Sequence, residues 1–289
     1  MIAANRILTR PAVSEDYSKL ANLFHFGSYL HQHRDYRHPL DWIGHEMFLL
    51  LEDGGRLEAA LACPPDPPDV AWVRLFAVSH DIPPESAWNT LWKAMLPLIR
   101  SDPQIGQVAA IPSSAWFESL LKKQGFPLIQ EIVMLNRDLT GLPREKPDPQ
   151  VGVRPMTLDD LKTVHLIDKE SFAPIWVNSP ASIEIAFRQA WVATVAEING
   201  QIEGYQISSK TTLGAHLSRL AVRPAHQGEG IGYALVYDLI RQLSRHGAHL
   251  LTVNTQKDNR ASLSLYQRAG FELTGEASPV YMLEVNNQG

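Results

Sequence analysis

The apolar positions of the chain change period repeatedly, and each change marks an element. Residues 191–209 form two short apolar runs separated by Asn199-Gly200. Two such runs around an Asn-Gly pair predict a β-hairpin. Ile231–Arg245 carries apolar side chains at three- and four-residue intervals, which predicts an amphipathic helix. Residues 158–171 and 261–269 share that spacing, whereas 151–154, 217–222, 250–255 and 280–285 are short runs that predict strands. The order strand, helix, hairpin, strand, helix, strand, helix, strand predicts an α/β (α+β) unit: a mixed, mostly antiparallel sheet flanked by helices.

The same order occurs earlier in the chain. Arg-Pro stands at 10–11 and again at 154–155, an offset of 144. "FLLLEDGGRLEAAL" (48–61) answers "ATVAEINGQIEGYQI" (193–207), each a strand, a glycine turn and a strand. "RLFAV" (74–78) answers "SRLAV" (218–222) at 144, and "WFESLLKKQGF" (116–126) answers "ASLSLYQRAGF" (261–271) at 145. Two copies of one unit account for nearly the whole chain. Between them "GLPREKPDPQ" (141–150) has three prolines and mixed charge, which predicts a linker. The expected domains are therefore 1–140 and 151–289, joined by 141–150.

Composition narrows the function. The 289 residues carry a net charge of −5, with no basic stripe, which argues against a nucleic-acid partner. One cysteine, Cys63, precludes an internal disulfide and suits a reducing, cytoplasmic setting. No signal-peptide-like N-terminus and no run of membrane-spanning length is evident. Histidines 25, 31, 33 and 38 cluster in "HFGSYLHQHRDYRHPLDW", which is read as a polar and aromatic helical face with a loop; no metal site is expected.

The chemistry concentrates in "VRPAHQGEGIGYAL" (222–235), where Gly228, Gly230 and Gly232 lie between a strand and a helix. Bare backbone at a helix N-terminus offers unpaired N–H groups and the positive end of the helix dipole to an anion. The loop lacks the Gly-Lys-Ser/Thr of a Walker A motif, and its spacing differs from G-x-G-x-x-G. "QGEGIG" (227–232) resembles the Gln/Arg-x-x-Gly-x-Gly/Ala signature of the GNAT superfamily of acyl-CoA N-acyltransferases. "NTQKDNRASLSLYQRAGF" (254–271) resembles that superfamily's next block, so the chain is identified as tandem GNAT-like domains.

The resemblance implies a site. Gln227, Gly228, Glu229, Gly230, Ile231 and Gly232 would hold the coenzyme A pyrophosphate by backbone N–H groups. Leu220, Ala221 and Val222 would pair with the pantetheine arm. Asn259 and Asn254 would bond the pantetheine region, Asn259 being equally suited to cap a helix. Tyr266 matches the general acid that protonates the leaving thiolate. Relatives that acetylate histones place a carboxylate base at a position that falls on His216, and a histidine suits proton removal near neutral pH; Glu197 is the alternative base. The implied reaction transfers acetyl from acetyl-CoA, the co-substrate, to a primary amine on a small molecule or peptide N-terminus. An acetyl-CoA-binding regulatory or structural module without turnover is the alternative. Residues 153–176 resemble the start of ribosomal-protein N-terminal acetyltransferases, and the tandem plan resembles mycothiol synthases; oligomeric state stays open.

The first copy has lost these residues. At an offset of 144, Gln227 and Gly228 become Pro83 and Pro84, Gly230 becomes Ser86 and Gly232 becomes Trp88. Proline brings no N–H. The tyrosine position becomes Leu121 and the base position Trp72. Residues 1–140 are expected to be a degenerate copy without the coenzyme A loop.

Overall fold

The computed structural model describes residues 7–285. They form two compact units, 7–129 with 279–285 and Gln130–Ser278. In the first, β1 (Leu8–Pro11) leads to α1 (Tyr17–Phe26), β2 (Tyr29–Gln32) and the hairpin of β3 (Phe48–Asp53) and β4 (Arg56–Ala62). There follow β5 (Val70–Trp72), β6 (Leu75–Val78), α2 (Pro84–Ser101), β7 (Gln107–Ala110) and α3 (Ala115–Lys123). The second holds most of β8 (Leu128–Asp138), then β9 (Gly152–Pro155), α4 (Leu161–Ser171), α5 (Pro180–Gln189) and the hairpin of β10 (Val192–Ile198) and β11 (Gln201–Lys210). It continues with β12 (Gly214–Val222), α6 (Ile231–Arg245), β13 (Leu250–Gln256), α7 (Arg260–Arg268) and the start of β14 (Glu272–Glu284).

The repeat is visible in hydrogen bonds. The Arg10 guanidinium donates to both oxygens of Asp16 at 2.6 and 2.7 Å and to Glu52 at 2.8 Å. Arg154 repeats this with Asp160 at 2.7 and 2.9 Å and Glu197 at 2.8 Å. Each triad ties the first strand to the turn before the first helix and to the strand paired with it in the sheet, β3 in one unit and β10 in the other. Glu197, the alternative base, is thereby committed to an ion pair. The hairpin turns where expected, with Asn199 at φ 53° and Gly200 at φ 76°.

The compact units do not follow the halves of the sequence. In the second unit the strand order is β14-β8-β13-β12-β11-β10-β9, so β8, from the first copy, lies against β13 from Ile132↔Gln256 to Asp138↔Leu250. In the first unit the end of β14 pairs with β7, from Tyr281↔Ala110 to Glu284↔Gln107. The chain changes unit at 129/130 and 278/279 rather than within 141–150. That irregular stretch is anchored in the second unit: Tyr233 Oη donates to the Glu145 carbonyl at 2.8 Å, and Arg268 Nε to the Glu145 carboxylate at 2.8 Å. Proline excludes regular structure there but does not itself make a boundary.

The second unit's core lies between the sheet and α6, around Leu135, Leu217, Val236, Leu239, Leu251 and Val253. The first unit's matching core is aromatic, with Phe76, Trp88 and Phe117 fully buried. In the first unit, residues 29–32 are a strand rather than part of a helical face, because His31 is completely buried, stacked on Phe117 at 3.9 Å and bonded through Nε2 to the Val73 carbonyl. Burial pushes its pKa down to about 4, so it packs as a neutral ring.

Arg154 holds the Asp160 carboxyl down at about 2 through its hydrogen bonds. A depressed carboxyl contributes stability that is complete above its unfolded value near 4 and is lost as pH falls through about 2. Arg154 is partly exposed, which screens the pair. Asp160→Asn is expected to cost about 1–2 kcal/mol at neutral pH, and to flatten the loss of stability between about pH 4 and 2. Urea unfolding across that range checks both.

Candidate active site

The site starts where two parallel strands part. β12 and β13 pair only from Gly214↔Leu250 to Leu217↔Val253. Beyond Leu217, β12 keeps β11 on one side and has no strand on the other among the described residues. A bulge at Ser218 precedes this open edge; Ile207 faces Arg219 and Ser208 faces Leu217. The Arg223 N–H donates to the Glu203 carbonyl at 2.8 Å. Alternation along an antiparallel ladder then turns the N–H and C=O of Val222 and Leu220 toward the open side. The Val222 carbonyl accepts from Ser171 Oγ at 3.0 Å and Gln227 Nε2 at 3.1 Å.

The chain leaves β12 through the glycine loop. Gly228 has φ 87° and Gly230 φ 83°, a left-handed region that side chains disfavour. A Cβ at either position would meet nothing within 4 Å, so the space above the loop is open. Gly230 is the N-cap of α6 and offers no side-chain cap. The first backbone bond of the helix is Ala234 N–H to the Gly230 carbonyl, which leaves the N–H groups of Ile231, Gly232 and Tyr233 without an intrahelical acceptor. Nearby polar side chains are already engaged: Arg223 pairs with Glu203 and Glu170 at 2.8 and 2.6 Å, and His226 Nδ1 lies 3.0 Å from the Glu229 carboxylate. The loop therefore offers an anion its backbone rather than an uncommitted cation.

The remaining predicted residues divide. His216 lies in the paired part of β12 with Nδ1 2.8 Å from Thr252 Oγ1 of β13, a partner that sequence reasoning missed. Tyr266 of α7 is 4% exposed, with its ring 5.6 Å from Phe271. Burial holds its phenol well above the ordinary value, so it stays protonated at neutral pH. Asn259 is the N-cap of α7 and accepts from Ser262 N–H at 3.0 Å. Asn254 is exposed on β13, opposite Met134 of β8.

Sequence reasoning also missed a buried polar cluster beside β12. Asp168 of α4 is fully buried. It accepts from Tyr205 Oη, from Arg219 Nε at 2.7 Å and from the Asn178 N–H at 2.8 Å. Arg219 also donates to the Trp176 carbonyl at 2.5 Å and lies over the Phe172 ring at 3.5 Å. An aspartate at an apolar-spaced position of α4 was the available signal. Among the described residues no group of three or more His, Cys, Asp or Glu is placed to hold a metal ion, and no helix is long and apolar enough to cross a membrane.

A strand that parts from its parallel neighbour runs here into a glycine loop that opens a helix, so an unpaired strand edge leads to exposed N–H groups at a helix N-terminus. Residues 161–271 match the acetyltransferase (GNAT) family. That match lies within the second unit, Gln130–Ser278. The chain is similar to the L-methionine sulfoximine/L-methionine sulfone acetyltransferase of Pseudomonas aeruginosa, 28% identical over 121 residues, 37% of this chain and 69% of that protein. It is also similar to the [ribosomal protein bS18]-alanine N-acetyltransferase of Escherichia coli, 33% identical over 73 residues, 25% and 49% of the two chains. The mycothiol acetyltransferase of Streptomyces coelicolor is 28% identical over 178 residues, 55% of each chain. A tandem GNAT protein from the clavulanic acid biosynthesis pathway shares the fold over 97% of this chain and 99% of its own, with TM-score 0.67 and 17% identity.

Tyr266 Oη makes no hydrogen bond to any described residue, so packing alone holds the ring. Tyr266→Phe is expected to change stability by less than about 0.5 kcal/mol. Thermal unfolding of the purified variant checks this, and a larger loss would assign the hydroxyl a structural bond.

Proposed function

We propose that this chain is an acetyl-CoA-dependent N-acetyltransferase whose second unit transfers the acetyl group to a primary amine of a small molecule or a peptide N-terminus. The observation that carries the reading is the loop at Gly228 and Gly230, left-handed, open above, and continuous with the unpaired edge of β12. Backbone N–H groups from Gln227 to Gly232 hold the pyrophosphate, and the helix dipole favours its charge. Leu220 and the Val222 N–H offer backbone groups to the pantetheine arm, whereas the Val222 carbonyl is already held by Ser171 and Gln227 and Ala221, expected to join them, turns its N–H and C=O toward Tyr205 of β11. Asn254 and Asn259 lie on the two elements that follow.

His216 takes a proton from the attacking ammonium, directly or through water, and Thr252 orients its ring. The amine nitrogen then bonds to the thioester carbon. Collapse of that adduct breaks the carbon–sulfur bond, Tyr266 gives its proton to the departing thiolate, and the extra proton on the new amide nitrogen passes to the resulting phenolate, directly or through water, which restores the tyrosine. A phenol kept protonated by burial is suited to that step. The relatives' names, which give a small amino acid derivative and an alanine of a ribosomal protein as acceptors, support the two acceptor classes offered here. The first unit supplies no second loop. There α2 begins at Pro84, the position equivalent to Gly228, and Pro83 is its N-cap.

Calorimetric titration with acetyl-CoA is expected to give one site per chain, and Gly230→Glu to abolish it. Tyr266→Phe is expected to lower kcat by about 10²–10⁴ with acetyl-CoA affinity unchanged. His216→Ala is expected to lower kcat by about 10²–10⁴ in steady-state assays with acetyl-CoA affinity unchanged. Tight binding with no turnover across amino acids, polyamines, aminoglycosides and peptides would leave a binding module in place of an enzyme.

A further inference from the structure

The two units differ most at the edge that is open in the second. β6 is equivalent to the end of β12, residue for residue at an offset of 144. In the first unit that edge is occupied by β2, antiparallel, from Tyr29↔Val78 to Gln32↔Leu75. Ser79 N–H donates to the Glu58 carbonyl at 2.8 Å, as Arg223 does to Glu203. Alternation therefore turns the N–H and C=O of Val78 and Phe76 toward β2. His33 N–H donating to the Arg74 carbonyl at 2.9 Å continues the same ladder. Val78 and Phe76 are the equivalents of Val222 and Leu220. The backbone groups offered to a ligand in one unit are paired with Tyr29 and His31 in the other.

The segment that supplies β2 exists in both units. Residues 28–34 correspond to 172–178, which in the second unit forms a short turn around Pro174–Trp176 instead of a strand. Its course there is fixed by the buried cluster: Asp168 accepts from Asn178 N–H, and Arg219 donates to the Trp176 carbonyl. The equivalents of Asp168 and Arg219 are Phe24 and Leu75. Ser171, whose hydroxyl bonds the Val222 carbonyl, is replaced by Gly27. A Cβ on Gly27 would approach the Val78 carbonyl to 3.0 Å and the Leu23 carbonyl to 2.5 Å, so glycine permits the chain to pass close to β6.

We infer that the Asp168–Arg219 pair holds segment 172–178 off the edge of β12 and so keeps the acyl-CoA slot open. In the first unit, which lacks the pair, the same segment has become the permanent occupant of the slot. Asp168 and Arg219 act as positioning residues, and β2 is a built-in substitute for the pantetheine arm. This rests on the acetyl-CoA reading of the second unit for the identity of the displaced ligand, and on the two units' geometry for the rest.

Amide hydrogen exchange of the whole chain tests it without requiring turnover. In the free protein, Phe76 and Val78 amides are expected to exchange on the order of 100-fold more slowly than those of Leu220 and Val222. Acetyl-CoA is expected to slow only the latter pair. The double variant Asp168→Phe, Arg219→Leu, which installs the first unit's residues, is expected to protect Leu220 and Val222 without ligand. If the plugged state reaches nine-tenths of the population, acetyl-CoA affinity falls about tenfold. Equal protection of both edges in the free wild type would overturn the proposal. So would a folded double variant with an unprotected β12 edge, or acetyl-CoA-dependent loss of protection at Tyr29 and His31. If the double variant does not fold, the wild-type comparison still decides. Wild type that binds no acetyl-CoA would refute the functional reading alone, since the exchange contrast is measured on the free chain.

Discussion

The second unit depends on one constraint: β12 and β13 are parallel neighbours for only four residues. Continued pairing would consume the N–H and C=O groups of Leu220 and Val222 in the sheet and leave no edge for a ligand. The bulge at Ser218 accompanies the separation, adding a residue to β12 just after the last pair. His216 stays within the paired segment and is thus braced by Thr252, while the glycine loop lies a few residues past the open edge. His216, a backbone edge and the glycine loop fall along one strand because that strand is held at one end and released at the other.

Much of this was legible in the sequence. The helix Ile231–Arg245 and the Asn199-Gly200 turn come from periodicity and turn chemistry, which are local. The repeat was legible in the recurring Arg-Pro pair and the matched segments at offsets of 144 and 145; that each arginine holds an aspartate six residues on and a glutamate on a later strand is added by the structure. The destination of β14 was not. Residues 272–279 are polar and largely exposed, so they carry no strand alternation, and only Val280 and Tyr281 are buried. Nothing local tells a strand which copy of a duplicated sheet to join. Arg219 and Asp168 were hidden for a related reason: each partner lies in an element whose packing the sequence does not state.

The two units separate scaffold from chemistry. Both keep the Arg–Asp–Glu triad, the hairpin and a buried helix against the sheet. The first unit has replaced the loop glycines with a proline-led helix start, and Trp88, at the place of Gly232, stacks on Trp92 at 5.3 Å within an aromatic core. Backbone N–H groups for an anion and a close-packed apolar helix start are alternative uses of one turn, since a proline removes the donor and an indole fills the space.

That exchange leaves an energetic problem at the sheet edge. A cleft built for a ligand presents N–H and C=O groups that the ligand satisfies. Once binding is lost, each such group left buried without a partner costs about 1–3 kcal/mol. A strand of the chain itself answers this better than water does, because its groups come at the same spacing and its side chains fill the slot. His31 does so as a neutral ring against Phe117, with Nε2 on Val73. The residues that changed at Phe24, Gly27 and Leu75 are those that would otherwise hold the segment away. In the first unit the proline-led helix start and the filled edge occur together, and the pairing with β2 leaves no backbone group of that edge unsatisfied.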